Sequence, residues 1–275
     1  MPFSISTYPF ILTTFTIETH FLGNSKEQYL KDKENANKNT YSCGSVEGTN
    51  PAHMETARRL AQIFHENNIQ LVYGGGTKGL MGEIARTLVS LSGPESVHGI
   101  IPRALVSIEP GYNQKGNGTT GTPSTSSASA GGAGKVAERV VGEAQNGNVP
   151  SSEYGLTTIV ADMHTRKRLM AEKVREGGPG SGFVALAGGF GTIEEVMEMT
   201  TWNQLGIHHL GVVLLNVAGY WDGLLEWVRN SVREGYVSKE NGSILVEAKT
   251  VEEVWPKLVQ YQVSEGRYQL KWEDE

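Results

Sequence analysis

The chain has 275 residues, 38% of them apolar, and a formal net charge of −6. That length supports one substantial core with appendages, and the acidic balance provides no basic face for nucleic acid. A single cysteine, Cys43, excludes an intramolecular disulfide, and no set of Cys and His residues has zinc-like spacing, so no metal and a reducing, cytoplasmic setting are expected.

The opening MPFSISTYPFILTTFTIETHFLG has no cation before Lys26, and Thr interrupts its apolar runs. It reads as neither a signal peptide nor a membrane span. Residues 25–40 are polar and charged with almost no apolar periodicity, so 1–40 is expected to be a poorly ordered N-terminal extension. The polar approach to CGS at 43–45 predicts at best a badly formed first strand.

From there, short β-branched runs alternate with helical patterns. A helix is predicted over 51–67, a strand over 69–74, a glycine loop, a helix over 80–91 and a strand over 97–102. Residues 113–135 consist almost entirely of Gly, Ser, Thr, Ala and Asn, a composition that buries too little surface to offset the entropy of ordering. We read a flexible insertion at about 113–153, whose later part holds one short helix. Then come a helix over 162–175, a strand over 182–187, a second glycine loop and a helix over 193–205. A strand over 210–216, a helix over 221–234, a strand over 243–248 and a helix over 251–260 close the pattern. The fold class is α/β, a Rossmann-like doubly wound parallel sheet with helices on both faces. Its domain runs over 41–262, followed by a tail at 263–275, and ligands should bind at the carboxyl ends of the strands.

The first glycine loop, YGGGTKGLMG, satisfies G-x-G-x-x-G with Gly74, Gly76 and Gly79. No acidic residue follows at the spacing a dinucleotide ribose needs, and no G-K-[ST] closes a Walker loop. A tight strand-to-helix turn remains an alternative for these glycines. The second loop, AGGFGTIEE at 187–195, is more informative. Gly188, Gly189 and Gly191 let backbone approach a ligand, and a helix starting near Thr192 would aim free N–H groups at an anion. Thr192 to Glu195 also reads as a capping box, in which Glu195 would only satisfy a backbone donor.

In ADMHTRKRLMAEKV, Asp162 can cap a helix whose Met163, Arg166, Lys167 and Met170 share a face. Arg166 pointed at a strand end suits phosphate or carboxylate, although three successive cations commonly make a solvated face. Cys43 has no assignable base and reads as a small strand-end residue. Trp202, Trp221 and Trp227 read as core.

Taken together and in this order, CGS, VYGGGTKGLMG, DMHTRK, AGGFGTIEE, TWNQLGIH and LLNVAGYWDGLL resemble the LOG family of cytokinin riboside 5′-monophosphate phosphoribohydrolases, once described as lysine decarboxylases. The similarity covers about 41–111 and 154–237. It implies a homodimer that needs no cofactor and cleaves a nucleoside 5′-monophosphate, with a substituted exocyclic amine, into free base and ribose 5-phosphate. The family's signature glutamate falls on Glu195, its M-H-x-R-K segment on Arg166 and Lys167, its acidic residue after the I-P strand end on Glu109, and its threonine before tryptophan on Thr201. Glu195 and Arg166 are then the expected catalytic residues. Substrate contacts are expected from Ser45, Gly74, Gly75, Gly76, Glu109, Lys167, Gly188, Gly189, Phe190, Gly191, Thr192, Ile193, Glu194 and Thr201. The signature proline is Ala187 here, and the insertion lies between Glu109 and Arg166. Competing readings are an AMP nucleosidase-like hydrolase and a non-catalytic nucleotide-binding or carrier protein. A lysine decarboxylase would need pyridoxal phosphate on a Schiff-base lysine, for which no constellation is visible.

Overall fold

The structure is a computed structural model that describes residues 37–106, 109, 139–141 and 153–272. The chain divides into Met1–Glu34, outside the described residues, and Asn35–Glu275, which carries every element below. The bulk of the predicted flexible insertion, including all of 113–135, also lies outside them.

Eight strands form one sheet: β1 (Lys38–Ser42), β2 (Gln70–Tyr73), β3 (Val97–Pro102), β4 (Arg139–Val141), β5 (Leu156–Val160), β6 (Gly182–Ala185), β7 (Gly211–Leu215) and β8 (Leu245–Ala248). Their order is β4-β5-β3-β2-β1-β6-β7-β8. All neighbours are parallel except β4, which runs antiparallel to β5 at the edge. The helices are α1 (Ala52–Glu66), α2 (Gly79–Ser92), α3 (Arg103–Val106), α4 (Met163–Arg175), α5 (Phe190–Leu205), α6 (Asp222–Arg233) and α7 (Val254–Val259).

Strand alternation splits the core in two. Leu71, Tyr73, Val184, Val213 and Leu215 pack with apolar residues of α1, α2 and α7 on one face. Val72, Phe183, Ala185, Val212 and Leu214 pack with those of α4, α5 and α6 on the other. The predicted doubly wound α/β class is the one observed. The chain runs outward from β1 to β5 on one side and from β6 to β8 on the other, so the topological switch point lies between the carboxyl ends of β1 and β6.

Four expectations need correction. The polar segment before CGS forms β1, three residues of which fall inside the stretch read as flexible. It is the central strand, fixed on both edges by parallel ladders to β2 and β6, and this pairing outweighs its polar composition. The sequence reading contained no strand at 156–160, yet β5 lies there; two threonines dilute its apolar character while remaining β-branched strand formers. Where a short helix is expected in the later part of the insertion, 139–141 form strand β4, and 136–138 and 142–152 lie outside the described residues. Trp221 is buried as predicted, whereas Trp227 is half exposed on the outer face of α6. The tail packs at the end of α5, where the Tyr268 N–H donates to the Gln204 carbonyl at 2.8 Å and Trp272 Nε1 donates to the Leu205 carbonyl at 3.1 Å.

Asn39 is the cost of the polar strand. It shares a face with Cys43, which belongs to the core of α1 and α2, and it is fully buried with neither amide atom hydrogen-bonded among the described residues. An unsatisfied buried amide costs about 1–3 kcal/mol. Asn39→Val removes both orphaned atoms and supplies a strand-favouring side chain, so it should raise stability by a similar amount, about 1–3 kcal/mol. A denaturant midpoint at or below that of wild type would contradict this.

His208 is buried between α5 and β7. Its Nε2 donates to the Met199 carbonyl at 2.8 Å, while Nδ1 accepts the Leu210 N–H at 3.1 Å, an arrangement that only the neutral ring satisfies. Burial pushes its pKa down to about 4, against the pull of the Met199 carbonyl and with help from His209, Arg175 and Arg267. His98, partly buried and bonded to Thr158 Oγ1, is likewise pushed down to about 4, by desolvation first and by Lys173 and Lys38 after it. The unfolded chain therefore takes up protons near pH 6.5 that the folded chain refuses until about 4. This contribution is fully present above pH 6.5 and is lost as pH falls toward 4. His208→Gln should flatten the fall in urea midpoint between pH 6.5 and 4.5.

Candidate functional site

The site is assembled at the switch point from four elements. The chain leaving β1 makes the CGS loop, in which the Gly44 N–H donates to the Ala187 carbonyl at 2.9 Å. This bond ties that loop to the second glycine loop. Gly79 adopts a left-handed φ of +57°, and a Cβ there would stand 2.3 Å from the Val46 nitrogen, so the first glycine loop closes against the CGS loop only because Gly79 is glycine. Between these loops lies a cleft of about 650 Å³, whose lining includes Gly44, Ser45, Gly188, Gly189, His53 and Tyr220. The Tyr220 hydroxyl donates to the Gly188 carbonyl and pins the second glycine loop from the far wall.

Helix α5 begins at Phe190, earlier than expected, and its N-cap is Gly189 in extended conformation with no side-chain cap. The capping box is therefore not formed. Thr192 is buried in the first turn, against Gly188, where a Cβ would meet its Oγ1 at 2.0 Å. Glu195, one turn further on, is freed from any capping duty. The first-turn N–H groups of Gly189, Phe190, Gly191 and Thr192 have no partner within the helix, as at any helix start. A Cβ on Gly189 or Gly191 would meet nothing within 4 Å, so the packing of this chain does not explain either glycine.

Asp162 caps α4 as expected, its Oδ1 accepting the Thr165 N–H at 2.8 Å. The helix buries Arg166 and Met170, while Met163 and Arg168 are exposed, so the reading of a solvated cationic face fails for Arg166. Arg166 crosses the strand ends. Its Nε donates to the Ile100 carbonyl of β3 at 3.2 Å, and its Nη1 pairs with Glu195 Oε1 at 2.8 Å. Gly74, at the end of β2, makes room for it, since a Cβ there would stand 1.8 Å from Nη2. The other oxygen of Glu195, Oε2, accepts the Ser42 hydroxyl at 2.6 Å. No feature of the motifs pointed to Ser42; only the polar character of β1 hinted at a side chain with work to do there.

Lys167 pairs with Glu194 and Glu198 of α5. Burial works against its charge, but these two carboxylates outweigh that and raise its pKa. The charges of both Arg166 and Lys167 are thus paired with carboxylates of α5. Glu109 is held by the first glycine loop, its Oε2 accepting from the Thr77 N–H at 2.9 Å and from Thr77 Oγ1 at 2.8 Å. Gly75 has a left-handed φ of +74° and Gly76 is packed against Met81. Ile193 and Phe190 are exposed at the start of α5. Thr201 is exposed eleven residues beyond Phe190, about 16 Å along the helix, and is not brought to this cluster within one chain. Burial, with Glu195 adding to it, drives the Cys43 thiol far above its usual range, so it is no nucleophile. Among the described residues no group of three or more His, Cys, Asp or Glu side chains could hold a metal, and no helix is long and apolar enough to cross a membrane.

Fold and site together define a Rossmann-like α/β protein that brings an uncapped helix start and a largely buried Arg–Glu pair together at its switch point. A family model described as possible lysine decarboxylase matches residues 81–258. A bifunctional cytokinin biosynthesis protein from Fusarium pseudograminearum is 46% identical over 83% of this chain, which spans 41% of that relative's length. A probable cytokinin riboside 5′-monophosphate phosphoribohydrolase from Oryza sativa subsp. japonica is 37% identical over 80% of this chain and 77% of its own. The chain belongs to this family, the LOG family. Among solved structures, the molybdenum cofactor carrier protein from Chlamydomonas reinhardtii aligns with 82% of this chain and 97% of its own at 14% identity and a TM-score of 0.47.

Proposed function

We propose that this chain hydrolyses the N-glycosidic bond of N-substituted adenosine 5′-monophosphates, cytokinin riboside monophosphates, releasing the free base and ribose 5-phosphate. The observation that carries this reading is the placement of Glu195, held by Arg166 beside the open N–H groups of α5 at the switch point. The 5′-phosphate sits on the N–H groups of Gly189 to Thr192, where the helix dipole favours negative charge. As the base departs with the bonding electron pair, C1′ gains oxocarbenium character, which the Glu195 carboxylate stabilises. Water attacks C1′, loses a proton toward the carboxylate, and the base is protonated as it leaves. Arg166 holds Glu195 in place and spreads the charge that the phosphate brings.

The related sequences named as phosphoribohydrolases support the substrate class. We further infer a cytoplasmic homodimer. The exposed Phe190, Ile193 and Met163 at the starts of α5 and α4 support a covered surface there. The test is base release from isopentenyladenosine 5′-monophosphate, with AMP in parallel. Folded wild type that releases no base would overturn the reading. Equal turnover of AMP would replace it by a general AMP nucleosidase, and AMP binding without release would replace it by a carrier.

A further inference from the structure

We propose that Ser42 is a positioning residue for Glu195, holding the second carboxylate oxygen while Arg166 holds the first. The inference rests on the hydrolase reading above, and it adds a residue from the polar first strand to the catalytic assembly. Three observations carry it. The Ser42 hydroxyl donates to Glu195 Oε2 at 2.6 Å, a length typical of a bond to a charged acceptor, whereas its separation from the Thr192 carbonyl is 3.5 Å. Ser42 is buried at the last position of the central strand, and its backbone carbonyl accepts the Leu186 N–H at 3.1 Å, so the hydroxyl is delivered from a strand paired on both edges. Arg166 is anchored by Ile100 and contributes one bond to Oε1, which alone leaves the carboxylate free to swing about that contact. With both oxygens held, one by a cation from α4 and one by a neutral donor from β1, the plane of the carboxylate is set before substrate arrives.

A neutral donor also stabilises the charged form of the carboxylate without adding a cation that would compete for phosphate. The charged and titratable groups facing Glu195 are Arg166 and Lys167 from α4, Glu194 and Glu198 from its own helix, and Cys43 beside β1. Loss of the Ser42 bond therefore leaves the carboxylate with Arg166 as its one direct donor among the described residues.

The experiment uses full-length protein and three forms: wild type, Ser42→Ala and Ser42→Thr. A water-sized space of about 30 Å³, lined by Ser42, Thr40 and Met170 among others, accommodates the added methyl of threonine. For Ser42→Ala, kcat for base release should fall about tenfold with KM little changed, and the acid limb of the pH profile of kcat should move to higher pH. Ser42→Thr should restore at least half of the lost rate and return the limb to its wild-type position. A strand residue with a purely structural role would lower the melting temperature without moving that limb. Absence of base release by wild type sinks the hydrolase reading, whereas an unchanged kcat and an unmoved acid limb in folded Ser42→Ala sink the role of Ser42.

Discussion

Glu195→Gln should lower kcat for base release at least ~100-fold with KM close to wild type, because the amide keeps the shape of the carboxylate but loses the charge that stabilises C1′. The structure adds a second consequence. Arg166 is buried, and its partner is that carboxylate, so the substitution also leaves a guanidinium without its counter-charge. Breaking a buried pair from one side destabilises by about 3–5 kcal/mol when both groups are fully desolvated, and by less here, since Glu195 keeps some exposure. A lower melting temperature is thus expected alongside the kinetic defect. The two are separated by measuring single turnover well below the transition, where the variant is fully folded, and by confirming that it still binds ribose 5-phosphate. Full rate in Glu195→Gln would show that Glu195 has no chemical role. Arg166→Ala should match it in kcat and, having removed the anchor as well, should also broaden the dependence on substrate concentration.

Much of the fold was legible from periodicity and glycine punctuation. Helices over 51–67, 80–91 and 162–175 and strands over 97–102 and 182–187 fall within a few residues of α1, α2, α4, β3 and β6. What escaped was decided by tertiary pairing. β1 is polar by composition and becomes a strand because β2 and β6 template both of its edges, information that no local window of KNTYS contains. In β5, Thr157 and Thr158 hid a strand whose β-branched character was the available signal. The candidate site shows the same division. Loop spacing suggested an anion cradle, but T-I-E-E satisfies the capping-box pattern equally well, and the choice between a capped and an uncapped start turned on whether the helix starts at Gly189 or at Thr192. Only the extended backbone of Gly189 and the direction of the Glu195 side chain decide it. Ser42 lies 153 residues from Glu195 in sequence, and no motif spans that distance.

The two glycine loops contain glycines of opposite kinds, and alanine separates them. At Gly74 the backbone needs no left-handed conformation, so the whole effect of Gly74→Ala is steric: the new Cβ would fall 1.8 Å from Arg166 Nη2 and 2.8 Å from Cζ. The guanidinium is buried and bonded to both Ile100 and Glu195, so it cannot give way without releasing one of them. Glu195 then loses its Arg166 contact although neither side chain of the pair has been changed. The expected result is a kcat at least ~100-fold down, as for loss of the carboxylate itself, with a stability loss of about 1–3 kcal/mol from overpacking. At Gly189 the backbone is equally permissive, and an added Cβ would touch nothing within 4 Å of this chain. Gly189→Ala should leave the melting temperature within a degree or two of wild type while raising KM, because the methyl group enters the space in which the proposed function places the substrate phosphate. If Gly74→Ala instead raised KM alone, Gly74 would be acting on the ligand and not on Arg166. If Gly189→Ala left KM unchanged, the phosphate would have to lie elsewhere than on the start of α5.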